Sequence, residues 1–435
     1  MHRLVFLDPG HFHAALTLRE RQRLVSDEIA VYAPASDGVG GGRELAEFLA
    51  LIESFNRRPE RATAWRPVIH TADDPLAQLL TDRPGDVVIL AGKNDRKLAR
   101  ARRLHDAGLH VLADKPWLTT PATLTDIEHV LSGGARTMEM MTSRHASTSR
   151  VADRLVGDRE ILGELATADA DAAIRLVSVH HLEKVVNGTP LRRPAWYFDV
   201  RVQGDGLADI PTHLVDQAQR FIATHGIAVD RGLQLLAARR WPTLVPRALF
   251  TRVTGQADFP AELGALVEGG ALAYAANSEL SFRAGGVAVQ LATRWDLTEP
   301  AGGGDAHSAT VTGTAARVRI EQGPETGFRR RLWVEPRGSA ERLERALKRW
   351  VATWQVDHPG LAVEPAADGF EVRVPAGPGS MHEAQFPLVL DEFLRALDHG
   401  PWPDARAAVT LAKYDLLARA LAHANQTSAH DGAAR

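Results

Sequence analysis

The first 145 residues alternate between two patterns of apolar positions. "RLVFLD", "IAVYA", "RPVIH", "DVVILAG", "HVLAD" and "TMEMM" are short, nearly continuous apolar runs, the pattern of strands covered on both faces. Between them lie stripes with helical spacing: "HAALTLRERQRL", "RELAEFLALIESFNRR", "DPLAQLL", "DRKLARARRLHDAG" and "TLTDIEHVLSGG". Repeated strand–helix units predict a doubly wound parallel sheet over residues 1–145. From about residue 170 the strand-like runs lengthen: "AAIRLVSVHHLEKV", "LAYAANSELSFRA", "VAVQLATRWDLTE", "TAARVRIEQ" and "RRLWVEP". They predict a mainly antiparallel sheet in an α+β second domain over 146–424. Its clearest helix is "DIPTHLVDQAQRFIATHG". Two closing helices, "FPLVLDEFLRALDHG" and "DARAAVTLAKYDLLARALAHA", are free to pack back on the first domain. "PAGGGDAH" and "PAADGFEVRVPAGPGS" read as loops, and the small polar residues 425–435 as a frayed, disordered tail.

Composition narrows the classes. A chain of 435 residues accommodates two domains. Without a single cysteine it has no disulfide, zinc thiolate or thiol nucleophile, which fits a cytoplasmic protein. A formal net charge of −3 with no long basic stripe argues against nucleic acid as a partner. No apolar run is long enough to span a bilayer, so no membrane partner is expected. The first strand starts too early to leave room for a signal peptide.

Three stretches carry chemistry. The first is the opening turn, Asp8-Pro9-Gly10-His11-Phe12-His13, between a strand and a helix. A helix N-terminus after a glycine turn is what binds a pyrophosphate. Only Gly10 remains of the glycines such a loop usually carries, and the acidic residue usual at the end of the second strand is missing. Asp37 and Arg43, in the next loop, are candidates for the ribose or a 2′-phosphate, which leaves NAD and NADP both open. The second stretch is "HVLADKPWLTT", where Asp114, Lys115 and Pro116 follow directly on a strand. A lysine there stands at the carboxyl end of the sheet, the ligand-binding edge of α/β proteins. The third is "GDGLADIPTHLVDQ". Asp209, His213 and Asp216 are spaced to share a helix face, and an acid beside a histidine suits proton transfer. Asp209 has an alternative role as helix N-cap, and Asp216 as an ion-pair partner.

Together these stretches resemble the glucose–fructose oxidoreductase/inositol dehydrogenase (Gfo/Idh/MocA) family. "LADKPW" stands where that family has E-K-P or D-K-P, and "DVVILAGKN" where it has a strand and an asparagine-containing loop. "HHLEKVVNGTPLRRPAWYFDV", "GDGLADIPTHLVD" and "GGGDAHSATVTGTAARVRIEQG" resemble the branch with the putative oxidoreductase C-terminal domain. The resemblance covers most of the chain. It implies a Rossmann domain that binds NAD or NADP through residues 8–13, Ala91, Gly92, Asn94, Asp114, Lys115 and Pro116. It implies Lys115, Asp209 and His213 as catalytic residues, and an antiparallel domain that holds a sugar, polyol or glycoside. Some members run net redox-neutral elimination or hydrolysis, and members often pair as homo-oligomers. Asp8 and His13 replace small residues of the family pattern.

Other polar positions fall near the third stretch in sequence. His180, His181, Glu183 and Lys184 lie on one strand, whose alternation sets His181 and Glu183 opposite His180 and Lys184. Arg193 and Trp196 follow, offering donors for hydroxyls and a ring for a sugar's C–H face. Lys115, His181, Lys184, Arg193, Trp196, Asp209 and His213 are therefore the expected substrate contacts, with Asp305 and His307 as further candidates. No metal is expected. A rival reading gathers His180, His181, Glu183, Asp209, His213, Asp305 and His307 into the metal site of a hydrolase or lyase. Another keeps the dinucleotide fold as a non-catalytic sensor.

Overall fold

The computed structural model describes residues 1–35, 41–167, 172–186, 189–377, 379–399 and 404–433. Asp37 lies outside them. In chain order the early elements are β1 (Leu4–Leu7), α1 (His13–Leu16), β2 (Glu28–Pro34), α2 (Gly41–Arg57), β3 (Arg66–Ala72), α3 (Pro75–Asp82), β4 (Val87–Leu90), α4 (Lys97–Asp106), β5 (His110–Asp114), α5 (Leu124–Leu131) and β6 (Thr137–Met140). Then come α6 (Ser147–Gly157), β7 (Ile174–Glu183), β8 (Val185–Val186), β9 (Thr189–Pro190), α7 (Val200–Gln203), α8 (Pro211–Ala223), β10 (Gln234–Pro246), α9 (Arg247–Thr254), β11 (Val267–Glu268), β12 (Ala271–Ala284) and β13 (Val287–Thr298). The chain closes with β14 (Ala306–Thr312), β15 (Ala316–Gln322), β16 (Arg331–Pro336), α10 (Ala340–Trp354), β17 (Ala362–Ala366), β18 (Gly369–Arg373), α11 (Gln385–Asp398) and α12 (Asp404–Ala433). Among the described residues, no helix is long and apolar enough to cross a membrane.

The chain divides into two compact units: Met1–Leu118 with Ala122–Ala146 and Pro378–Leu411, and Thr119–Pro121 with Ser147–Gly377 and Ala412–Arg435. The first unit holds a parallel sheet of order β3-β2-β1-β4-β5-β6. β1 lies between β2 and β4, so the chain reverses direction beside it, and a crevice opens there at the carboxyl ends of the strands. The strand cores are the apolar runs seen in the sequence: Leu4, Phe6, Ile29, Val31, Val87 and Ile89 are all at most 1% exposed. α11 completes this core with Phe386, Val389, Leu390, Phe393 and Leu394. The helix expected over 13–24 is only four residues long. The chain instead turns past Thr17, whose hydroxyl bonds back to the Ala14 carbonyl, and buries Leu18 and Trp65 against each other's segment through a Trp65 Nε1 bond to the Leu18 carbonyl at 2.7 Å.

The second unit is built on a sheet of order β10-β12-β13-β7-β14-β15-β16-β18-β17, with β11 beside β12. β13 and β7 pair in parallel and the other neighbours are antiparallel. The stretch 365–380, read from sequence as loop, supplies the end of β17 and all of β18, because Phe370 and Val372 find a buried face beside β16. β14, too, begins inside the expected glycine loop, at Ala306. α12 is helical through Ala433, so the end expected to fray from 425 continues the helix for most of its length.

Candidate active site

In the first unit the opening turn packs directly on the loop after β4. Asp8 takes a left-handed backbone conformation, φ 50°, in the place a glycine usually fills. Its amide donates to the Tyr32 carbonyl at 2.7 Å, its carbonyl accepts from Gly10, and its carboxylate pairs with Arg100 at 2.8 Å. The His11 amide donates to the Ala91 carbonyl at 3.1 Å. A Cβ on Gly92 would stand 2.6 Å from the Asp8 carbonyl, and one on Gly10 would stand 2.7 Å from the Glu44 carboxylate. The two loops therefore meet where side chains are missing, forming a backbone-lined cradle that fits a dinucleotide pyrophosphate. Gly92 meets rigid backbone and Gly10 a flexible side chain, so Gly92 is the stricter requirement. Glu44, in the first turn of α2, supplies a carboxylate beside the cradle that the sequence pattern did not single out. Arg43 points instead to Glu47 at 2.8 Å.

Below the turn, the Asp114 carboxylate accepts from His13 Nδ1 at 2.8 Å and lies 3.6 Å from His11 Nδ1. Burial alone would raise the Asp114 pKa. The His13 charge and hydrogen bond, with Lys97 and His11, outweigh it and hold the carboxyl well below its usual range. His11 is pushed well down, first by burial and then by His13, with the Lys115 and Lys97 ammoniums adding to the effect. Lys97 is 2% exposed. Its Nζ donates to the Asn94 side chain, to the Asp114 carbonyl at 2.7 Å and to the Pro116 carbonyl at 3.3 Å. It thus braces both sides of Lys115, whose peptide bond to Pro116 is cis. Sequence reasoning missed Lys97: a lysine opening a helix carries no local sign that it will be buried. Pro9 and Ala91 are buried and Phe12 is 36% exposed.

In the second unit, residues 204–211 are pinned to β12. The Gly206 amide donates to the Ala275 carbonyl at 2.8 Å, and a Cβ on Gly206 would stand 2.6 Å from Ala276 backbone. The buried Asp209 precedes α8 rather than lying in it. The N-cap position of α8 falls to Ile210, one residue after Asp209. His213 sits in the first turn, half-buried. Asp216 is 1% exposed and lies 3.3 Å from Arg220 and 4.0 Å from Lys413, so it serves as an ion-pair partner.

The covered face of the large sheet changes character within one residue row. Successive rows across β13, β7, β14, β15 and β16 read Val289–Ile174–Val311–Val318–Val334, then Leu291–Leu176–Ala309–Ile320–Leu332. The next reads Thr293–Ser178–His307–Gln322, with Arg330 opposite Gln322 by continuation, and beyond it Trp295 and His180 with Asp305 alongside. Asp305 accepts from His180 Nδ1 at 3.0 Å and from Lys184 Nζ at 2.5 Å. It lies 3.6 Å from His181 Nδ1. Asp305 therefore draws in His180, Lys184 and His181 together, which strand alternation alone had set on opposite faces. It stands just outside the ladder and reaches the His181 amide as well, at 3.2 Å. Ser178 Oγ is 2.7 Å from both His180 Nε2 and His307 Nδ1. Burial, then Arg330, push the His307 pKa well down. The Asp305 carboxyl, raised by burial, is held well below its usual range by His180, His181 and Lys184. Arg193 donates to the His181 and Leu182 carbonyls, both at 3.0 Å, and lies over the rings of Tyr197 and Trp295. Burial raises the Tyr197 phenol's pKa, and both Asp209 and Asp305 act on it, so the two carboxylates share one neighbourhood. Trp196 is half-buried.

Among the described residues, one trio has metal-ligand geometry: His11, His13 and Asp114, with donor atoms within 4.8 Å of one another. The seven residues of the rival hydrolase reading form no such group there.

A six-stranded parallel sheet with a glycine cradle at its reversal point, joined to a large mixed-sheet unit, is the build of a dinucleotide-dependent oxidoreductase. Residues 151–425 match the family model described as the putative oxidoreductase C terminal domain. The chain belongs to that family. A putative oxidoreductase from Parabacteroides merdae is 33% identical over 98% of both chains, with a TM-score of 0.91. At lower identity the same fold recurs in a putative myo-inositol dehydrogenase from Sinorhizobium meliloti, 12% identical over 98% of both chains with a TM-score of 0.55. It recurs also in levoglucosan dehydrogenase solved with NADH and levoglucosan, 14% identical over 97% of this chain and 96% of that one, TM-score 0.59. No protein of curated function matches the sequence.

Proposed function

We propose that this protein is an NAD(P)-dependent dehydrogenase acting on a secondary alcohol of a sugar, polyol or glycoside. The observation that carries the reading is the Gly10–Gly92 cradle at the reversal point of the parallel sheet, with Lys115 at the carboxyl end of β5. The family membership supports it, as do NADH with levoglucosan in one structural neighbour and NADP in a ketoreductase neighbour.

When bound, NAD(P)+ supplies the hydride acceptor. The chain's own residues do the rest. The amides of Phe12 and His13 at the start of α1, with the loop of Ala91, Gly92 and Asn94 beside the Gly10 turn, would receive the pyrophosphate and its ribose. Lys115, braced by Lys97, stabilises the developing alkoxide. His213 takes the hydroxyl proton and Asp209 orients its ring; with the roles exchanged, Lys115 is the base. His181, Lys184 and Trp196 meet the hydroxyls and the apolar face of the sugar. Arg193, two of whose nitrogens serve backbone carbonyls, holds that wall in place.

Calorimetric titration with NAD(H) and NADP(H), followed by cofactor reduction across a panel of sugars, polyols and glycosides, tests the reading. Gly92→Ala is expected to abolish dinucleotide binding, because its Cβ would displace the Asp8 carbonyl from the turn. Unchanged binding in that variant removes the cradle from the cofactor site.

A further inference from the structure

Arg330 stands at the end of the polar row Thr293–Ser178–His307–Gln322, on the covered side of the sheet. Its side chain is only partly exposed. Burial weakens its hold on its proton, with no carboxylate acting in the opposite direction. Among the described residues, no ion pair or hydrogen bond of Arg330 occurs. The carboxylate in this corner, Asp305, is already committed to His180, His181 and Lys184. Gln322, between Arg330 and His307, turns its amide to the Asp305 carbonyl at 2.9 Å.

Lys184 and Asp305 therefore cancel, and one half-buried guanidinium is left over. A half-buried charge with no protein partner gains most from an anion that displaces its remaining water, so a partner is expected to arrive with the ligand. The excess is a single charge, which suits a monoanion better than a phosphate dianion. The planar fork of a guanidinium matches a carboxylate through two parallel bonds.

We propose that the substrate is an acidic carbohydrate, a uronate or aldonate, whose carboxylate binds Arg330 in this polar row. This rests on the dehydrogenase reading and narrows its substrate class. The ring or chain hydroxyls then face His307 and the Asp305 group, and a neutral sugar leaves Arg330 unpaired.

The test is calorimetry on the full-length protein saturated with NADH. D-glucuronate, D-galacturonate and D-gluconate are compared with D-glucose, D-galactose, D-glucitol and glucose 6-phosphate. At least one acid is expected to bind about tenfold to a hundredfold more tightly than its neutral counterpart, the range for a hydrogen bond to a charged group. Arg330→Gln should remove that preference, and Arg330→Lys should keep part of it. The bound acid should also raise the melting temperature of the native protein and leave that of Arg330→Gln unchanged. Arg330→Gln itself should melt no lower than the native protein, since it removes an unpaired charge. If no acid binds more tightly than its neutral counterpart, if the phosphate binds best, or if Arg330→Gln keeps the preference, the inference falls. Failure of NADH to bind at all sinks the dehydrogenase reading instead, and the same titrations without cofactor still decide the anion preference.

Discussion

Asp114 in the first unit and Asp305 in the second are each met by two histidine rings, with a lysine close by. The two groups are assembled by different means. Around Asp114 the partners come from loops at the carboxyl ends of parallel strands: the turn after β1, the start of α4 and the end of β5. Backbone hydrogen bonds and missing side chains set their spacing. Around Asp305 the partners come from register: strands far apart in the chain bring Ser178, His180, His307 and Gln322 onto adjoining rows. A loop-built site tolerates little change in backbone and a register-built site little change in pairing.

The largest expected effects concern chemistry. Lys115→Ala and His213→Ala should each lower turnover on a confirmed substrate by about a hundredfold or more, the scale of a general acid–base group. Dinucleotide affinity, read by NADH fluorescence, should hold in both. Near-normal turnover in either variant would return that residue to a structural role.

Next in size is stability. Asp114→Ala leaves a deeply buried group of two histidines and Lys97 without its anion, at a cost of about 3 kcal/mol or more. Asp305→Ala is expected to cost less, about 2 kcal/mol, because the Asp305 side chain is 16% exposed against 7% for Asp114. Urea midpoints measure both, and an inverted order would overturn the contrast drawn between the two groups.

A smaller effect follows from pH. His11 and His307 both titrate below their unfolded value of about 6.5. The unfolded chain then binds more protons as pH drops beneath that value, so the stability these groups contribute is present above it and is lost on acidification toward their folded values. The melting temperature should fall between about pH 6.5 and 5, and His307→Asn should flatten part of that fall. A flat native profile would mean that neither ring is held neutral.

The smallest effect belongs to Glu44. Its carboxylate beside Gly10 disfavours a further phosphate, so Glu44→Gln should shift relative affinity toward NADP(H) by about twofold to fivefold, the scale of a partly exposed charge. Competitive titration of the two cofactors reads it, and no shift would detach Glu44 from cofactor choice.

The legibility of the two groups in the sequence follows from the same contrast. The parallel sheet and its turn were readable because buried strands print as contiguous apolar runs and the turn lies within six residues. "ADKP" was visible for the same reason. Lys97 and Glu44 were not, since each reaches the site only through the packing of its helix. In the second unit, the helix carrying His213 and the strand bearing His180 and His181 were readable. The polar row was not, because Ser178, His307, Gln322 and Arg330 become neighbours only once three strand registers are set. β17 and β18 read as loop because, across 365–380, glycine and proline outnumber the β-branched and aromatic residues that betray a strand. Alternation along "HHLEK" misplaced His181 relative to His180, as a side chain at the end of a ladder escapes the pleat.

The core of the first unit contains Phe386, Val389, Leu390, Phe393 and Leu394, which follow its sixth strand by more than two hundred residues of chain. On the ribosome, therefore, the parallel sheet emerges long before the helix that covers it. The nascent first unit must wait, with an uncovered apolar flank, until residues 147–377 of the second unit have been synthesised. A fragment ending at residue 146 is consequently expected to need chaperone protection or to aggregate. The protein's two units are thus tied together by the order of synthesis: the one begun first closes its core only after most of the other has been made.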